Sequence, residues 1–190
     1  LELPIQENSL DGAFSIGVLH HTPDPFRGFS QMIRTLKARA WVAACVYGKG
    51  GYYDSPRVSV WRNLFSLLRP VFGNLPPLAY SYFAALIVYP LSFVPGLGHA
   101  LRAVFPSVRL PDRKWRLLDT YDSVTPSYQS AHESFEVFQW FKKMGLVEIE
   151  PSDWGFSSFH GRKPESARFE ATFVDGKQEL KNSREKSFWL

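Results

Sequence analysis

A chain of 190 residues, 45% hydrophobic and 21% charged, is long enough for one domain with a real core. Its net charge of +4 comes without a dense lysine or arginine cluster, which argues against a nucleic-acid-binding stripe. The single cysteine, Cys45, excludes an internal disulfide and a cysteine-based metal cluster and fits a reducing cytoplasm. Aromatic residues reach 16%, as expected for a large apolar pocket, an interface or contact with lipid.

The opening run "LELPIQENSLDG" has the look of mid-chain loop and carries no signal-peptide pattern, so the chain is expected to be a fragment without its natural N-terminal part. Residues 12–19, "GAFSIGVL", form a short apolar run between turn residues, the pattern of a strand buried on both faces of a parallel sheet. Two histidines, His20 and His21, follow it. Asp24 and Pro25 then give an N-cap and a first helical residue. Phe26, Phe29, Ile33 and Leu36 fall on one face of that helix, with Arg27, Gln31, Arg34 and Lys37 around the other. Residues 40–47, "AWVAACVY", read as a second buried strand, completing a parallel crossover unit. In such a strand Cys45 acts as a small core residue.

The alternation stops there. Residues 59–68 read as helix, and 70–101 contain no charged residue at all. The densest part, "LAYSYFAALIVYPLSFV" at 78–94, approaches the ~20 residues of a membrane span, but prolines and glycines interrupt it. Three readings stay open: a span, a buried or lid-like helical pair, and a pair leaning into a membrane surface. A polar stretch rich in Asp, Tyr and Arg follows. Residues 134–144 then read as a helix with Phe138, Phe141 and Met144 inward, stopped at Gly145. Strands are expected at 146–151 and 154–163. The tail carries one hairpin signal, Asp175-Gly176, and is expected to be weakly ordered.

The segment "LPIQENSLDGAFSIGVLHHTPDPFRGFSQMIRTLK" resembles the second half of a class I S-adenosylmethionine-dependent methyltransferase domain, of the type 11 or ubiquinone-biosynthesis-like kind. The family's usual run is a Leu-Pro-Phe loop, an Asn-Ser-Phe-Asp turn, an apolar strand ending in Leu-His-His, a helix, and Leu-Lys-Pro-Gly-Gly. The resemblance covers residues 1–47 well and 133–164 more loosely. It implies an α/β fold: part of a doubly wound, Rossmann-like sheet, with the cofactor across the carboxyl ends of its strands. Residues 1–47 would be the second half of the core, 48–132 an apolar helical insertion or lid, 133–164 the closing helix and strands, and 165–190 the tail. Carried over, Leu1, Glu2 and Leu3 would lie under the adenine, and Ser15, Ile16 and Gly17 beside the sulfonium. The family's glycine-rich loop and ribose-binding acidic residue have no counterpart here. "LKARAW" replaces Leu-Lys-Pro-Gly-Gly, so that turn is expected to take another shape.

Neighbouring histidines on a strand end would point in opposite directions, and no further ligand completes a set, so no metal site is expected. Each histidine can brace the strand end or line the acceptor pocket as a base. For an oxygen or nitrogen acceptor His20, His21 and Asp122 are the catalytic candidates, with Asp119, Tyr121 and His132 behind them. The apolar insertion suggests a small, apolar or lipid-like acceptor and peripheral membrane contact through residues 70–101 of a cytoplasmic protein. The alternative is a non-catalytic module that acts through that insertion.

Overall fold

The computed structural model describes residues 2–154 and 157–165. The first strand, β1 (Leu10–Ile16), leads through a 3₁₀ turn (Leu19–His21) into helix α1 (Pro25–Thr35) and back to β2 (Leu36–Val46). Asp24 caps α1 as its position suggests, accepting the Arg27 N–H at 2.9 Å, and Pro25 occupies the first turn. After the helical insertion, α7 (Ser134–Lys143) leads to β3 (Val147–Pro151) and β4 (Ser157–Arg162). Gly145, at φ 65°, takes the left-handed conformation that ends α7. The sheet order is β1-β2-β4-β3, with β1 and β2 parallel and β4 antiparallel to both its neighbours. This is α/β and matches part of a Rossmann-like methyltransferase sheet.

The strand period explains the core. Ala40, Val42, Ala44 and Val46 alternate inward and meet Phe29, Ile33 and Leu36 from the first crossover, with Val137, Trp140 and Phe141 of α7. Phe29 and Phe141, both fully buried, pack 4.7 Å apart. Each is worth roughly 1.5–3 kcal/mol of burial. Lys163 locks the end of β4 beneath α1: its ammonium donates to Leu36 O at 2.6 Å, Ile33 O at 3.2 Å and Asn8 Oδ1 at 2.9 Å.

Two expectations about this half need correcting. Among the described strands β1 lies at the edge, and it is not buried on both faces. Ser15 is buried toward the helices, but Phe14 is 73% exposed and Ile16 47%, because no described element covers that face. The "LKARAW" segment forms no separate turn: β2 begins at Leu36, four residues before the expected strand. Arg39 itself sits at φ 63°, inside a register shift between Leu10–Leu36 and Gly12–Trp41.

The middle of the chain is helical: α2 (Pro56–Phe72), α3 (Leu75–Phe83), α4 (Tyr89–Leu91), α5 (Leu97–Val104) and α6 (Arg113–Val124). α2 begins three residues earlier than its apolar pattern suggests, because Pro56 suits a first turn. A π-helical segment, Ala84–Val88, joins α3 to α4 just before Pro90, which has no N–H to give the regular ladder. Phe65, Tyr80, Ala84 and Val124 form a second small core with Trp61, Leu68 and Phe105 packed against it. Many other apolar side chains stay bare, among them Leu67 (78%), Val71 (76%) and Leu75 (67%). Among the described residues no helix is long and apolar enough to cross a membrane. The tail beyond residue 165, with its hairpin signal, lies outside the described residues.

Candidate active site

The carboxyl ends of β1 and β2 point the same way, since the two strands are parallel, and the polar side chains of interest gather there. His20 and His21 are not on a strand, as expected from sequence, but in the 3₁₀ turn that follows Val18. Their rings therefore do not diverge; they lie 4.3 Å apart, tilted by 57°. Both rest on Tyr47 at the end of β2, His20 stacked at 3.7 Å and His21 edge-on at 5.5 Å.

The two imidazoles differ in what they can do. His20 is fully buried, and its Nδ1 accepts the Tyr47 backbone N–H at 3.3 Å. The proton must then sit on Nε2, which is buried without a partner. Burial, then the nearby His21 and His132, lower its pKa from 6.5 to about 3. With its lone pair taken, His20 braces the strand end. His21 is half-buried, and its Nδ1 lies 3.2 Å from Tyr128 O. A carbonyl only accepts, so His21 Nδ1 carries the proton, and Nε2, with no hydrogen bond among the described residues, keeps its lone pair.

From Tyr47 the aromatic stack continues to Tyr53, whose ring lies 4.1 Å away and nearly parallel. Tyr53 Oη donates to Asp119 Oδ1 at 2.6 Å. Burial, then Asp122 and Asp119, push the Tyr47 hydroxyl up to about 12. Tyr53 is raised further, by burial and then by Asp119. Both phenols therefore stay protonated at neutral pH. Asp119 and Asp122 also line a cavity of about 360 Å³ with Leu110, Trp115 and Leu118.

His132 belongs to a neighbouring relay. Ser130 Oγ lies 2.8 Å from its Nε2, and its Nδ1 lies 2.9 Å from Glu136 Oε1. A serine, a histidine and a carboxylate in that order resemble a nucleophile, base and orienting group. Here they tie a loop to the sheet: His132 N donates to Tyr47 O at 2.8 Å and Ser130 N to His20 O at 3.0 Å. The ring is 8% exposed and edge-on to Trp140.

The expected site residues divide into groups. His20, His21, Asp119 and Asp122 gather around Tyr47 and Tyr53, while Ser15 and Ile16 end β1 and Gly17 follows it. Tyr121 is half-buried on α6 with the two aspartates. Glu2 and Leu3 are not brought there. Leu3 O and Ile5 O accept from Arg34 at 2.9 and 3.2 Å, near the end of α1 that meets the start of β1. The far end of β1 is about 20 Å away at 3.3 Å per residue. Leu1 lies outside the described residues. Among the described residues no group of three or more His, Cys, Asp or Glu could hold a metal ion. Tyr47 and Tyr53 were not singled out from sequence, although Tyr47 ends a parallel strand, where ligands bind in open α/β sheets.

The parallel crossover brings His20, His21 and Tyr47 together at the carboxyl ends of its strands, where open α/β sheets bind ligands. Residues 1–44, from the first loop into β2, match the model of a family described as a methyltransferase domain, and over that segment the chain is similar to the class I S-adenosylmethionine-dependent type. No curated protein matches the chain. The described residues fit only part of such a cofactor. Gly17, at φ 73°, leaves open space where a side chain would stand, and Ile16 is 47% exposed, so the end of β1 can lie against an extended group such as a methionine moiety. No described residue forms a glycine-rich loop after a first strand or an acidic partner for a ribose.

Proposed function

We propose that the protein takes part in methyl transfer from S-adenosylmethionine to a small apolar or lipid-like acceptor at the carboxyl ends of β1 and β2. The observation that carries this is the gathering of His21, Tyr47, Tyr53, Asp119 and Asp122 at the strand ends of a crossover that matches a methyltransferase domain. Ser15, Ile16 and Gly17 would hold the methionine portion. The cofactor supplies an electrophilic methyl group, so the protein's task is to align the acceptor, exclude water and, for a protic acceptor, remove a proton. His21 Nε2 is the base that the hydrogen bonding leaves free. Asp122 lies on the acceptor side, and His20 and Tyr47 hold His21 in place. The apolar insertion would admit the acceptor from a membrane surface of the cytoplasm.

The test is amide chemical-shift mapping with millimolar S-adenosylmethionine. Shifts confined to Ser15–Gly17 and His21 are expected, with little calorimetric heat at micromolar concentration. Shifts scattered elsewhere, or none, would sink the assignment. A second reading, an interaction module without catalysis, draws on the bare apolar face of Phe14 and Ile16 at the edge of the described strands. It is favoured if Phe14→Ser abolishes a protein complex while the cofactor shifts never appear.

A further inference from the structure

Between the start of α2 and the chain after α5 lies a cavity of about 350 Å³, within the size range of small-molecule pockets. Three arginines, Arg57, Arg102 and Arg109, line it together with Tyr52, Tyr53 and Phe105. No carboxylate is among its walls. Each guanidinium has five donors, and few are used. Arg57 Nη1 donates to Arg102 O, and Arg102 Nη1 to Ser92 O at 2.6 Å. Arg57 Nε is buried with no acceptor among the described residues, and Arg109 lies over the Phe93 ring at 5.3 Å. None of the three forms an ion pair among the described residues.

Gathering like charges around one cavity, with a buried donor unsatisfied, is costly unless a ligand repays it. The wider charge pattern agrees. Residues 55–111 hold five arginines and no acidic residue, whereas the whole chain is only +4. Asp119, which meets this wall through Tyr53, is engaged by the Tyr53 hydroxyl. Oxyanions are what guanidinium forks match, and the tyrosine and phenylalanine walls suit an apolar or aromatic body attached to one. Tyr53 is shared: one side of its ring system stacks on Tyr47, and the residue also lines this cavity.

We propose that this arginine-lined cavity binds an oxyanion, a phosphate or carboxylate carried on an apolar or aromatic body, and that this is the anionic end of the methyl acceptor. The second half of that statement rests on the methyl-transfer function proposed above; the binding itself does not.

Calorimetric titration of the 190-residue chain with phenyl phosphate and with phenol tests it. Phenyl phosphate is expected to bind at least tenfold tighter, and Arg109→Gln, an exposed side chain, to weaken it about tenfold, the worth of one charge-assisted hydrogen bond. Equal binding of the two probes, or unchanged affinity in a normally folded Arg109→Gln variant, overturns the proposal. Phosphatidylglycerol vesicles, against phosphatidylcholine, separate the sources of the anion. Vesicle binding that phenyl phosphate displaces and Arg109→Gln weakens supports the site and assigns it a lipid headgroup. Vesicle binding that neither affects, with no phenyl phosphate bound, overturns it. Cofactor shifts at Ser15–Gly17 that persist in Arg109→Gln show that a failure here leaves methyl transfer standing.

Discussion

An imidazole with no solvent exposure, its one lone pair taken by a backbone amide, cannot serve as a general base; it can only resist being charged. That is the position of His20, and it has a measurable consequence. The unfolded chain binds a proton on this histidine near pH 6.5, but the folded one only near 3. Between those values the unfolded state holds more protons, so stability is full above about 6.5 and declines as pH falls toward 3. One such group contributes a slope of up to about 1.4 kcal/mol per pH unit. His20→Asn keeps an acceptor for the Tyr47 amide but cannot titrate. Urea unfolding at pH 7.5 and 5.0 is expected to show a smaller acid loss in the variant. An identical loss in both proteins would mean that His20 is not held neutral. His21, its neighbour, owes its different chemistry to one carbonyl, Tyr128 O. No reading of the pair His-His could tell the two apart, because the difference comes from partners over 25 and over 100 residues away.

The crossover from α1 to β2 shows what an element demands of its sequence. The cap, the apolar stripe of α1 and the alternation of β2 were legible because they depend only on local periodicity. The irregularity at the start of β2 was not. Arg39 adopts φ 63°, a conformation that costs a side-chain-bearing residue on the order of 1 kcal/mol, because the register of β1 on β2 and the hydrogen bond from Arg39 N to Lys163 O at 2.8 Å leave no alternative. Its ion pair with Glu165, 2.6 Å but about 70% exposed on both sides, contributes little. Arg39→Gly is expected to be neutral to about 0.5 kcal/mol stabilising, as relief of strain exceeds the added freedom of the unfolded chain. Arg39→Val, β-branched at positive φ, should lose about 1–2 kcal/mol. Equal denaturation midpoints for Val and Arg at this position would show that the irregularity relaxes.

Taken entire, the molecule pairs a well-packed half-sheet with a helical insertion that leaves much of its apolar surface bare. Val71 and Phe93 are 76% and 61% exposed in a stretch without charges, flanked by arginines. Such a surface is expected to settle on anionic vesicles, lifting the chain in a flotation gradient. A Val71→Asp, Leu75→Asp variant, at side chains 76% and 67% exposed, should remain at the bottom; if it floats equally, the insertion is not the contact. Periodicity and caps, together with the resemblance to a methyltransferase domain, were enough to expect the α/β class and the parallel crossover, since these follow from short-range spacing. The edge position of β1, the division of labour between His20 and His21, the Tyr47–Tyr53–Asp119 cluster and the arginine-lined cavity were decided only by tertiary structure. Each depends on which distant segments pack together, and pairwise contact across tens of residues leaves no local pattern in a single sequence.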